Sequence, residues 1–143
     1  MTDLKSLTYP QMQEFIKELG QPAFRAGQVF DWLHNKRVTS FDQMTNLPAA
    51  LRRQLAQRCT LSNLTVERRL VSQKDGTVKY LFGLPDGECV ESVLMDYHHG
   101  HSLCISTQVG CRMGCTFCAS TLDGCVRSLT PGEMLGEILA ANR

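Results

Sequence analysis

Apolar residues recur every three or four positions through the first sixty residues, and from about residue 61 they alternate with polar ones. The first spacing predicts helices and the second predicts strands. Met12, Phe15, Ile16 and Leu19 make one helical stripe. Thr8 can cap it, Pro10 fits its first turn, and Gly20 is a stop. A second helix begins near Pro22 and carries Phe24, Val29, Phe30, Trp32 and Leu33, with Trp32 on the apolar stripe and read as core. Ser40 caps a short turn around Phe41 and Met44, and Pro48 opens a third helix with Leu51 and Leu55.

Leu64 to Val71 then reads as a strand, turning at Asp75-Gly76 into a partner from Thr77 to Leu84. Pro85-Asp86-Gly87 leads to a third strand, Cys89 to Met95, and His98-His99-Gly100 to a fourth, Ser102 to Thr107. A loop rich in Gly and Cys follows. The chain closes with a helix that has Pro131 in its first turn and Met134, Leu135, Ile138 and Leu139 as its expected buried face. These elements give an α+β fold leading into α/β: a helical domain over 1–60, an antiparallel β-extension over 61–100, and a strand–loop–helix unit over 101–143. Such a unit opens a parallel architecture that needs further strands beside it, so the chain is read as the beginning of a longer protein.

Composition narrows the function classes. At 143 residues the chain can bury a core but is too short for a complete (β/α)8 barrel of about 250 residues. With 15 Lys+Arg against 14 Asp+Glu, wholesale electrostatic binding of nucleic acid is excluded, while a local basic face is not. Residues 1–60 hold eight basic against five acidic side chains, with Arg52, Arg53 and Arg58 on one helix. Arg68, Arg69, Lys36 and Arg37 are further candidates for phosphate contacts, although from charge alone a solvated helix face is the better explanation. No membrane span or apolar leader is visible, which points to the cytoplasm. Seven cysteines, three within eight positions, suit a reducing compartment and metal chemistry better than a disulfide framework.

Those three are Cys111, Cys115 and Cys118, spaced C-x3-C-x2-C. Three thiolates on one tight loop can each bind one corner of a [4Fe–4S] cube and leave the fourth iron open to a small molecule. Gly110 and Gly114 relieve the crowding of such close wrapping. The alternative metal is zinc, with a fourth ligand from His98, His99 or His101; zinc knuckles, however, favour paired C-x2-4-C units.

The cysteine loop resembles the signature of the radical S-adenosylmethionine superfamily. That resemblance implies S-adenosylmethionine bound through its amino and carboxylate groups to the open iron, with Phe117 near the adenine. The longer block Leu103-Cys104-Ile105-Ser106-Thr107-Gln108-Val109-Gly110-Cys111 resembles the RlmN/Cfr family, which methylates an adenine carbon in RNA. So do Phe24 to Leu33 and Phe41 to Pro48 upstream, and Gly124-Cys125-Val126-Arg127-Ser128-Leu129 downstream, where Ser128 replaces the family's usual Asn. The last unit would then be the first βα unit of a truncated radical-SAM partial TIM-like barrel. RlmN-type members act at C2 of an adenosine in large-subunit ribosomal RNA and in transfer RNAs; Cfr-type members act at C8.

The resemblance also implies site roles. Adenine C2 is electrophilic, so the family methylates a cysteine first and converts that methyl group to a radical that adds to the ring. Cys104 matches the cysteine that resolves the resulting crosslink, against the plainer reading of an inward-facing strand residue. Glu91 matches a carboxylate that moves the proton, against a solvated strand Glu. Cys59, Cys89 and Cys125 match no catalytic role, and Cys125 reads as a small buried residue. The methyl-bearing cysteine, the remaining barrel and an external, flavodoxin-like electron donor are further expected partners, so the chain alone is expected to be inactive. The competing readings are an inactive RNA-binding fragment and a zinc-binding interaction module.

Overall fold

The computed structural model describes residues 1–142, which form two compact units, Met1–Ser62 and the part of the chain from Asn63 onward. The first is helical: α1 (Tyr9–Glu18), α2 (Phe24–His34) and α3 (Ala49–Arg58), with 3-10 turns at Leu4–Ser6 and Phe41–Gln43. Gln11 reaches back to the Thr8 backbone N–H at 2.8 Å and closes the start of α1, as the Thr8 position predicts. Met12, Ile16, Val29, Leu33, Leu51 and Leu55 point inward and form the core with Leu4 and Met44. Trp32 packs against that core but keeps a wet edge, where its Nε1 donates to Asn46 and Lys36 Nζ lies 3.7 Å from the ring centroid. Sequence periodicity does not disclose the two short strands, β1 (Thr2–Asp3) and β2 (Cys59–Thr60), which pair in parallel and join the ends of this unit. Asp3 fastens the same closure by accepting from Ser62 Oγ at 2.7 Å.

The second unit is built on an antiparallel sheet in the order β3 (Thr65–Val71), β4 (Val78–Gly83), β5 (Cys89–Tyr97), β6 (Gly100–Cys104). Side chains alternate between its faces. Val78, Tyr80, Phe82, Val90 and Ser92 lie on the inner face and are buried. Arg68, Leu70, Lys79, Leu81, Glu91, Val93 and Cys104 share the outer one, as the registers Arg68↔Leu81, Leu81↔Glu91 and Val93↔Cys104 require. A separate antiparallel pair, β7 (Gln108–Gly110) and β8 (Cys125–Ser128), brackets the cysteine loop. The chain ends in α4 (Pro131–Ala141), capped by Thr130 and Glu133. Val109, Leu129 and Ala140 join the sheet's core, with Met134 and Ala141 packed against it.

Two expectations are corrected here. The fourth strand stops at Cys104 instead of running to Thr107, because the next residues bond elsewhere. The expected buried face of α4 is half wrong: Met134 packs against the core, but Leu135 and Ile138 are exposed, and the helix buries Gly132, Glu133, Gly136, Glu137 and Ala140. Small residues let the helix approach closely; bonding partners offset the desolvation of Glu133 and only moderate that of Glu137, whose Oε1 is buried without a partner. Among the described residues, the single parallel pairing is β1 with β2. No helix among them is long and apolar enough to cross a membrane.

Candidate functional site

A cleft of about 400 Å³ opens in the second unit. Its lining includes Cys89 and Glu91 from β5, Ser106 and Gln108 from the segment after β6, and Cys111 and Cys118 from the loop. Glu91 and two of the three predicted metal-binding thiols therefore border one space. Cys115 and Phe117 do not line it; Phe117 is 92% exposed on the same loop.

Local backbone chemistry explains the loop. Gly110 has φ +72°, and a Cβ there would fall 1.9 Å from the Gly124 carbonyl oxygen. Only glycine lets the two stems come this close. The Cys111 N–H donates to that same oxygen at 2.9 Å and closes the neck. Inside, Gly114 takes φ +66°, Cys118 N–H donates to Cys115 O at 3.1 Å, and Thr121 Oγ1 donates to the carbonyls of Cys115 and Cys118. Met113 N–H donates to Cys111 Sγ at 3.5 Å.

All seven cysteines are free, and Cys111, Cys115 and Cys118 are half-buried. Among the described residues, no three His, Cys, Asp or Glu side chains are gathered closely enough to hold a metal ion. The three thiols thus share a loop and do not form a preassembled ligand set. Their chemistry fits an iron–sulfur cluster: soft donors, a donated N–H, and glycine turns that let the backbone wrap. The histidines of the zinc alternative lie elsewhere. His98, His99 and His101 are exposed in the β5–β6 hairpin, with His99 stacked on Tyr97 and His101 paired with Asp96 at 3.3 Å. None of them lines the cleft.

Cys104 is exposed at the last ladder position of β6, so the plainer expectation of an inward-facing residue does not hold. It lies opposite Val93, which places it diagonally from Glu91 on the outer face, about 7–8 Å away by sheet geometry. Glu91 itself is half-exposed and pairs with Lys79 at 2.8 Å. Cys125 is half-buried on β8, and Cys59 is buried, where burial pushes its thiol up to about 11.

Sequence reading misses three features. Cys89 borders the cleft. Arg127 on β8 clamps Asp86 at 2.6 Å and Glu133 at 2.8 Å. Glu137, fully buried, accepts from Ser92 Oγ and from the Ser106 N–H. The available signal for the last two was acidic residues four apart on the small-residue face of α4.

Residues 2–61 match the family model described as "Ribosomal RNA large subunit methyltransferase N-terminal domain". Over 137 residues the chain is 55% identical to the "Probable dual-specificity RNA methyltransferase RlmN" of Alkaliphilus oremlandii, covering 96% of this chain and 40% of that one. A protein of the same name from Lachnospira eligens is 56% identical over 138 residues, 96% of this chain and 39% of its own. Residues 2–61 belong to the RlmN N-terminal domain family. A solved structure, a radical SAM methyltransferase from Sphaerobacter thermophilus, shares 40% identity with a TM-score of 0.87, over 99% of this chain and 41% of that one. The chain spans about two fifths of the length of the curated RlmN relatives it matches.

Proposed function

We propose that this chain is the N-terminal part of a radical S-adenosylmethionine methyltransferase acting at C2 of an adenosine in large-subunit ribosomal RNA and in transfer RNAs. The observation that carries the reading is the single cleft bordered by Glu91, Cys111 and Cys118. Cys111, Cys115 and Cys118 would hold a [4Fe–4S] cluster, with Phe117 against the adenine of S-adenosylmethionine. When bound, these groups supply a carbon-centred radical after reduction by an external, flavodoxin-like donor.

The chain's own residues supply the rest. Glu91 stands at the cleft, paired with Lys79 at 2.8 Å, and can accept the proton that leaves the adenine carbon. Cys104, exposed on the same sheet face, is accessible to attack the crosslink sulfur, forming an S–S bond with the methyl-carrying cysteine as the sulfur–carbon bond breaks and the carbon takes a proton to become the methyl group. The helical unit, with Arg53 and Arg58 exposed on α3, would hold RNA by its phosphates in the cytoplasm. Residues 101–143 would begin a partial barrel, the β-extension covering 61–100 before it. No cysteine here matches the methyl carrier, so this chain is expected to bind the cluster without completing transfer.

Anaerobic iron–sulfur reconstitution followed by electron paramagnetic resonance tests the reading. A reduced cubane signal that shifts on adding S-adenosylmethionine supports it. Zinc bound in place of a cluster overturns it in favour of a metal-stapled module.

A further inference from the structure

Glu137 is wholly buried, yet nothing in the proposed chemistry uses it. Its Oε2 accepts from Ser92 Oγ and, at 3.0 Å, from Ser106 N–H. Ser106 Oγ in turn donates to the carbonyl of Glu91 at 2.7 Å. Glu91, Ser92, Glu137 and Ser106 thereby form a closed ring of bonds. Its location follows from the register. Cys104 pairs with Val93, so a continued ladder would set Ser106 opposite Glu91. Glu137 takes the Ser106 N–H, the Ser106 hydroxyl takes the Glu91 carbonyl, and the ladder ends at Cys104. From that point the chain turns toward β7 and the cysteine loop.

We propose that Glu137 is a positioning residue: its carboxylate ends β6 at Cys104 and holds the backbone of Glu91 and Ser106 at the cleft. The role in catalysis rests on the function proposed above, whereas the bonding role does not. An apolar side chain would fill the same space without ending the ladder in this way. A glutamine would keep one acceptor oxygen for Ser106 while losing the charge and replacing the other oxygen with an NH2 donor.

The test is amide hydrogen exchange on the metal-free chain, comparing the wild type with Glu137→Gln and Glu137→Leu. Because no metal is present, the outcome is independent of whether a cluster forms. The expected result is Ser106 protection retained in E137Q and reduced roughly tenfold or more in E137L, as for a lost hydrogen bond to a charged acceptor. Tyr80 and Phe82 amides should stay protected in both. Equal Ser106 protection in E137L and E137Q, or its loss in E137Q, overturns the proposal. If E137L fails to fold, Ser92→Ala decides: removing one donor should move the pH midpoint of the Ser106 amide shift upward, and an unmoved midpoint overturns the proposal.

Discussion

Glu91 Oε1 lies 2.8 Å from Lys79 Nζ across two neighbouring strands, and both side chains keep about half their exposure, 51% and 47%. A pair this wet contributes about 0–1 kcal/mol to folding. Lys79→Ala and Glu91→Gln should therefore each shift the urea-unfolding free energy by less than about 1 kcal/mol. A much larger loss for E91Q would mean that Glu91 serves the fold before any chemistry.

Replacing Gly110 by alanine should be far more disruptive. The new methyl would meet the Gly124 carbonyl oxygen at 1.9 Å, from a φ of +72° that alanine resists. A loss of about 2 kcal/mol or more is expected. Differential scanning calorimetry reads it, and iron content after reconstitution should fall in parallel.

Arg127 holds an acid on either side, and Glu133 retains only 7% of its side-chain exposure. Arg127→Met should destabilise the second unit by about 2–3 kcal/mol, less than for a fully buried pair because Arg127 remains 29% exposed. Chemical denaturation monitored by exchange at β4 amides would measure this.

The two acids of α4 should respond to pH in opposite senses. For Glu133, burial would raise the carboxyl, but bonds from Arg127 and Thr130 prevail and hold it below its ordinary 4.5. Its contribution is present above 4.5 and is lost as pH falls through the lowered value; Asp86, held down by Arg127, adds to that loss. For Glu137, burial raises the carboxyl, and the Ser92 and Ser106 bonds only moderate the rise. The folded form then binds more protons than the unfolded one, so stability declines as pH climbs from 4.5 through the raised value. E137Q should abolish that alkaline-side decline and leave the acid-side loss intact. Stability–pH profiles of the two proteins would show a decline persisting in E137Q if the assignment were wrong.

Thiol accessibility should separate the cysteines. Burial pushes Cys59 up to about 11 against the pull of Arg58, while Cys89 and Cys104 are exposed. At pH 8, roughly a thousandth of Cys59 is thiolate, so iodoacetamide should modify Cys89 and Cys104 well before it. Peptide mass spectrometry over time gives the order.

What the sequence made legible was local. Met12 with Ile16, and Leu51 with Leu55, announce buried helix faces because each stripe is complete within a few turns. The cysteine spacing is equally self-contained. The orientation of α4 was not legible, because the partners that let Glu133 and Glu137 go inward, Arg127, Ser92 and Ser106, come from other elements. Apolarity alone turned Leu135 and Ile138 the wrong way. The end of β6 was hidden for the same reason: Ser106 reads as one more strand residue until Glu137 is beside it.

The bond from Cys111 N–H to Gly124 O makes the thiol loop a noose of fixed circumference. A guest that is too large cannot be accommodated by drawing in more chain, since the stems are tied as strands on both sides. Any change in the spacing of the three thiols therefore falls to the turns between the stems, where Gly114 already takes a positive φ.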